Sequence, residues 1–217
     1  MVKPEQTISN ATLKRLPMYL RFLKALYAKG EEFVSSVTIA NGLELNSVQV
    51  KKDIALVSTV EGKPKVGFDL KRLIEDLEDF LGLNNSQKAV LVGVGKLGTA
   101  LLSYKGFEKY GLKITAGFDV NPDIIGKEVA GTKIYHESEM ASYLKKHKIK
   151  MAILAVQTGV AQKACDKLVQ DGIYAILNFS PVPLKIPDGV AVQDVDIAAS
   201  LAILSTKLKV ILDGKDN

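Results

Sequence analysis

The 217-residue chain is short of the residues that carry much of protein chemistry: one cysteine, Cys165, and two histidines, His136 and His147. A lone thiol excludes an internal disulfide, and three scattered residues of this kind make no metal-ligand cluster, so no metal is expected. No apolar run reaches the roughly 18 residues of a membrane span, and the polar N-terminus points away from a signal peptide. These absences lead to the expectation of a cytoplasmic protein without a membrane partner. What is present is an ordinary globular composition, 47% hydrophobic and 24% charged, with a mean hydropathy of +0.12. The net charge of +5 is unevenly placed: Lys3, Lys14, Arg15, Arg21, Lys24 and Lys29 face only Glu5 in the first 29 residues. Local basic clustering of this sort suits a phosphate-bearing partner, and equally a solvated helix face.

Two rhythms meet near Gly82–Ser86. Before it, Leu16, Leu20, Leu23 and Leu26 recur at helical spacing. Pro17 belongs in a first helical turn, which predicts a helix starting near Leu16 and ending at Gly30. Ser35-Ser36 and Asn46-Ser47 offer N-caps for short helices over 37–42 and 47–58, the second of them basic. Two short helices joined by a tight turn form a helix-turn-helix pattern. "VEGKPKVGF" (60–68) then reads as a hairpin wing with Lys63 and Lys65 at its tip, followed by an amphipathic helix over 69–81.

After the boundary, strands alternate with helices, the pattern of a doubly wound α/β domain. Strands are expected over 88–92, 113–119, 132–135, 151–156, 173–179 and 190–192. Helices fit at 97–107, 137–147, 160–171 and 197–212. The expected architecture is α/β: a winged-helix domain (1–83), a Rossmann domain with a parallel sheet (84–194) and a C-terminal helical segment (195–217).

"VLVGVGKLGTALL" (90–102) is the informative stretch. Its Gly93-Val94-Gly95-Lys96-Leu97-Gly98 follows a strand and opens a helix, and Asp119 arrives 21 residues after Gly98 at the end of the next strand. Such a loop holds a dinucleotide. The first glycine makes the turn, the second admits the pyrophosphate to the backbone, and the third lets helix and strand pack. The helix N-terminus favours the phosphates. Asp119 accepts from ribose hydroxyls and repels a 2′-phosphate, which favours NAD and NADH over NADP.

No catalytic residue accompanies this loop. Short-chain dehydrogenases need a lysine four residues after a tyrosine, but Tyr104, Tyr110, Tyr135, Tyr143 and Tyr174 are followed there by Glu108, Ile114, Glu139, His147 and Asn178. His147 lies in the charged "KKHKIK" and reads as a surface residue, whereas His136 starts a helix after a strand and stays open as a site-lining residue. Cys165 falls on an apolar helix face and reads as core. A nucleotide site without a catalyst, joined to a basic helix pair, reads as a sensor and not an enzyme.

"ATLKRLPMYLRFLKAL" (11–26), "GVGKLGTALLSYKGF" (93–107), "FDVNPDIIGK" (118–127), "ILNFSPV" (176–182) and "VDIAASL" (195–201) together resemble the redox-sensing transcriptional repressors of the Rex family, over nearly the whole chain. The resemblance implies a cytoplasmic homodimer that binds operator DNA when free or NAD-bound and releases it when NADH replaces NAD. It implies cofactor contacts at Gly93–Gly98, Asp119, Tyr104, Asn178 and Phe179. DNA-facing residues would be Arg15, Ser47, Gln49, Lys51, Lys52, Lys63 and Lys65. The C-terminal helix would be exchanged between subunits, and Asp196 would pair with Arg21 in one of two dimer forms.

Three departures stand out. The family's wing usually ends in Arg-Gly-Val-Gly-Tyr, whereas this chain reads "KPKVGF", and lysine fits a narrow minor groove less well than arginine. Gln157 stands where a proline is common, and Lys51-Lys52-Asp53 replaces Arg-Lys-Asp. The chain therefore reads as the main family member or a divergent paralogue. The alternatives are an NAD-dependent oxidoreductase and a CoA-ligase-like nucleotide-binding subunit without DNA affinity; the basic "QVKKD" (49–53) argues against both.

Overall fold

The computed structural model describes residues 8–59, 62–64, 66–84 and 87–214. Its contacts divide the chain into two units, residues 1–85 and 86–217.

In the first unit, short polar side chains start each helix. Ser9 accepts from the Thr12 N–H to open α1 (Asn10–Tyr27), Ser35 from Thr38 to open α2 (Ser36–Leu43), and Asn46 from Val48 and Gln49 to open α3 (Ser47–Val57). Asp69 caps α4 (Leu70–Phe80) through Arg72 N–H. Between them β1 (Phe33–Val34) pairs antiparallel with β2 (Phe68–Asp69). Leu16, Tyr19, Leu20 and Leu23 of α1 meet Ile39, Val50, Ile54, Leu70, Leu73 and Leu77 in one core, none more than 2% exposed.

The expected start of the first helix near Leu16 is corrected. α1 begins at Asn10 and carries Pro17 in its interior. A proline there removes a helical bond and costs about 3 kcal/mol. The Ser9 cap and the side-chain bonds of Thr12 and Arg15 to Asp53 hold the turns before it in place. The turn at 62–68 closes on itself through Lys63 and Gly67, which exchange both backbone hydrogen bonds. Lys65 lies outside the described residues.

The second unit is a seven-stranded sheet in the order β5-β6-β4-β3-β7-β8-β9. The strands are β3 (Gln87–Val92), β4 (Leu112–Asp119), β5 (Glu128–Val129), β6 (Thr132–His136), β7 (Met151–Leu154), β8 (Ala175–Asn178) and β9 (Ala191–Asp194). All pairings are parallel except β5 with β6. Counted over the six parallel strands, the order is 3-2-1-4-5-6, the Rossmann arrangement, whose crevice opens where the order reverses, between β3 and β7. The helices are α5 (Lys96–Leu102), α6 (Met140–His147), α7 (Thr158–Gln170) and α8 (Ile197–Asp213).

Three features of this unit differ from expectation. α5 stops at Leu102 instead of Phe107; the chain turns through Ser103 and Tyr104 so that Phe107 packs with Leu91, Leu101 and Ile134. The short antiparallel β5 has no counterpart in the sequence reading. A bulge interrupts the β3–β4 ladder, where Ala89 faces Ile114 and Val90 faces Ala116. The intervening Thr115 donates its hydroxyl to Ala89 O at 3.3 Å, and its carbonyl accepts from Tyr143 at 3.1 Å.

α8 buries none of its residues. Among the described residues no helix is long and apolar enough to cross a membrane, and no group of acidic, histidine and cysteine side chains could hold a metal ion.

Candidate functional site

The three loop glycines answer to three different constraints. Gly93 has φ +92°, and a Cβ there would lie 2.5 Å from Ala155 O at the end of β7. A Cβ on Gly98 would lie 2.0 Å from Gly93 O, so only glycine lets α5 sit this close to the strand end. Gly95 has an ordinary φ of −72°, and nothing lies within 4 Å of where its Cβ would be. Neither protein packing nor backbone strain asks for glycine at that point; free access to its backbone does. That open approach beside the switch point fits a pyrophosphate.

Around this opening Val94 is buried, whereas Lys96 and Leu97 are exposed on the first turn of α5. Asp119 closes one side. One of its oxygens accepts from Val94 N–H at 2.6 Å, the other from Val120 and Asn121 N–H at 2.8 and 2.9 Å. A carboxylate offers about four acceptor positions. Three backbone donors leave one free, on the oxygen that faces the glycine loop. A ribose hydroxyl fits there, and a 2′-phosphate would meet a fixed negative charge.

The other predicted crevice residues are placed less simply. Tyr104 follows α5, is 60% exposed, and meets Phe107 edge to face at 5.1 Å. Its ring lies over Gly106, where a Cβ would come within 2.3 Å of ring carbon. Phe179 is half-buried against the cluster of Leu91, Ile134 and Ile153. Asn178 is fully buried: its amide donates to Val182 O and Asp194 at 2.9 and 2.7 Å and accepts from Ser180 N–H. Asn178 thus shapes the 178–182 turn and ties β8 to β9.

His136 is used structurally. Its Nδ1 accepts from Ser138 N–H while its own N–H donates to Glu139, a reciprocal cap. Cys165 is buried, and burial pushes its thiol up, away from the reactive thiolate.

In the first unit, a carboxylate locks α3 to α1. Asp53 of α3 is 1% exposed and accepts from Arg15 at 2.7 and 3.0 Å, Tyr19 at 2.8 Å, Gln49 at 2.9 Å and Thr12 at 3.2 Å. Burial alone would raise its pKa; the hydrogen bonds from Arg15, Tyr19 and Gln49 outweigh that and hold it below the usual range. Burial, then the carboxylate, pushes the Tyr19 phenol up to about 12. Two predicted DNA-facing residues, Arg15 and Gln49, therefore engage this hub. Lys51, Lys52 and Lys63 are exposed, and Ser47 is half-buried. Arg21 is exposed on α1, and Asp196 caps α8 by accepting from Ala199 N–H at 2.8 Å.

Sequence reasoning missed Asp53 and Tyr19 as a pair. The signal was present: Asp53 falls at helical spacing with Val50, Ile54 and Val57, an acid on an apolar face.

Residues 7–55 match the family described as "Putative DNA-binding protein N-terminus", and residues 84–182 match the CoA binding domain. Redox-sensing transcriptional repressor Rex of Porphyromonas gingivalis is 40% identical over 93% of this chain and 92% of its own length. The chain belongs to the Rex family. The Treponema denticola Rex is likewise 40% identical, over 91% of this chain and 93% of its own. Among solved structures, the Rex-family repressor RSP with β-NAD+ and operator DNA matches with a TM-score of 0.90 at 29% identity, covering 98% of this chain and 97% of RSP. RSP with β-NADH gives a TM-score of 0.86 over 98% of this chain and all of RSP.

Proposed function

We propose that this chain is a redox-sensing transcriptional repressor: it binds operator DNA through α2, α3 and the turn at 62–68, and lets go when NADH replaces NAD in the crevice. The observation that carries this reading is the similarity across 98% of the chain to a Rex-family repressor solved with both β-NAD+ and operator DNA. Lys51 and Lys52 are exposed on α3 and supply its basic face, and Ser47 at the start of that helix and Lys63 in the turn are further contacts in this reading; Lys65, also assigned to the DNA, lies outside the described residues. Arg15 and Gln49 reach DNA only with the groups that Asp53 leaves free.

In the crevice, Gly93, Gly95 and Gly98 admit the pyrophosphate, with Val94, Lys96 and Leu97 forming the loop, and Asp119 takes the adenosine ribose. Tyr104 and Phe179 face the nicotinamide end, and Asn178 holds that segment in shape. When bound, the cofactor supplies a charge and a ring planarity that differ between its two redox states. The chain does no redox chemistry of its own in this reading: His136 caps a turn and Cys165 is buried.

The partner is a second copy of the chain. Eight large apolar residues of α8, from Ile197 to Leu212, are each more than half exposed. A helix so exposed favours exchange between subunits. Asp196 at its start pairs with Arg21 in one dimer form. A ligand moves such an equilibrium only by its differential affinity for the two forms, roughly 10⁴-fold for a nearly complete swing.

Anisotropy of a labelled operator titrated with the protein, repeated with NAD, NADH and CoA, tests this. Retention with NAD and release with NADH are expected. Absence of DNA binding under every condition overturns the reading. The match to the CoA binding domain favours one alternative, a CoA-binding subunit; CoA binding without DNA affinity would establish it.

A further inference from the structure

Helix α3 carries an apolar side chain that its own unit leaves unused. Val50, Asp53, Ile54 and Val57 face the core. At 100° per residue, the opposite stripe is Val48, Lys52 and Ala55, and all three are exposed. Val48 stands 60% exposed in the first turn, where its own N–H is fixed by the Asn46 cap at 2.9 Å. A β-branched residue gains nothing there from helix propensity, since its χ1 freedom is restricted. The centre of this face is therefore a rigid methyl surface with one ammonium group. No acidic side chain lies on it.

We propose that Val48 is a specificity-determining residue, whose methyl groups read the C5-methyl of a thymine in the major groove. The inference rests on the operator-binding reading above. A thymine methyl is the one apolar group that base edges present in that groove, whereas Lys52, one turn along, matches the paired acceptors O6 and N7 of guanine. Four residues of helix span about 6 Å, and successive base pairs rise about 3.4 Å. The thymine thus lies within about two base steps of the guanine. The stiff χ1 of valine and the capped backbone hold the methyls in place before DNA arrives, so contact requires little ordering.

The probe is a fluorescent duplex carrying the sequence that the full-length protein, with NAD, enriches from a random library. Each thymine in turn is replaced by deoxyuridine in both half-sites, which removes only the methyl. Wild-type affinity should fall roughly three- to tenfold at one thymine within two steps of a guanine. Val48→Ala should bind the parent duplex more weakly by a similar factor and lose that sensitivity; Val48→Thr, with one methyl, should keep part of it. Both variants alter an exposed position and should melt with the wild type. Wild-type binding that ignores every thymine methyl overturns the role of Val48 and leaves the repressor reading standing. So does a Val48→Ala protein as methyl-sensitive as wild type. A library that yields no enriched sequence overturns the repressor reading and this inference together.

Discussion

Two carboxylates, Asp53 and Asp119, divide the labour of the two units. Asp53 is sealed in the helical unit, with side-chain donors from Arg15, Tyr19, Gln49 and Thr12 on its oxygens. Asp119 sits at the end of β4, half-buried, with three backbone donors and one acceptor position unoccupied by protein. The first is saturated and holds two helices together. The second is incompletely satisfied and faces an opening. The contrast shows how a buried acid and a binding acid are told apart: by what remains of their hydrogen-bonding capacity.

Removing Asp53 should produce the largest effect. Asp53→Ala leaves the buried Tyr19 hydroxyl without its partner and frees the part-exposed Arg15; an unsatisfied buried donor costs about 1–3 kcal/mol, and each lost hydrogen bond to a charged group about 1.5–3 kcal/mol. Urea denaturation followed by circular dichroism should show the helical unit unfolding first, with the crevice unit unaffected. The pH dependence sharpens the point. The folded pKa of Asp53 is depressed, so its contribution is complete above the unfolded value of about 4 and is lost as pH falls through the folded one. Tyr19, raised to about 12, acts in the opposite sense. Its contribution is complete below about pH 10 and fades as pH rises toward 12. Tyr19→Phe should abolish that alkaline loss relative to wild type.

Asp119→Ala should barely change stability, about 1 kcal/mol, because its backbone donors can turn to water. Its effect belongs to the ligand. Loss of a charge-assisted hydrogen bond should weaken NADH roughly tenfold or more and shrink the discrimination against NADPH. A native protein that binds NADPH as tightly as NADH in isothermal titration would mean that Asp119 does not face the ribose.

Much of this was legible because the physics is local. Ser9, Ser35, Asn46 and Asp69 are caps whose partners lie two or three residues on, and Gly93 and Gly98 are demanded by contacts within the loop and its neighbouring strand. What escaped depends on distant partners. Pro17 is tolerated inside α1 because Asp53, far along the chain, braces the turns before it. α5 ends early because Phe107 finds a core that no helical period announces. The bulge at Thr115 is set by its neighbours on β3 and α6. Arg15 and Gln49, read as DNA-facing, look alike in sequence whether they meet phosphate or a buried acid.

The helical unit also has a carrier of charge that the hub does not occupy. Lys52 is exposed one residue from Asp53. Lys52→Ala should weaken operator binding about tenfold, within the roughly 1–3 kcal/mol of such contacts, while NADH affinity and the melting temperature stay unchanged. Equal operator affinity in mutant and wild type would remove α3 from the interface.

Asp196 should give the smallest change in stability and the most specific change in behaviour. It resembles Asp119 more than Asp53: an exposed carboxylate with a backbone donor, Ala199 N–H, and spare acceptor capacity. As a cap, its loss costs about 1 kcal/mol, and Asp196→Asn should recover most of that, since asparagine caps as well as aspartate. As half of an ion pair with Arg21, it needs its charge, and asparagine should not substitute. The two roles therefore separate in one pair of variants. If Asp196→Asn keeps wild-type stability and NADH affinity but alters how far NADH displaces the operator, the charge is the switch. If Asp196→Asn responds to NADH like wild type and only Asp196→Ala differs, the residue is a helix cap and the pairing with Arg21 plays no part in release.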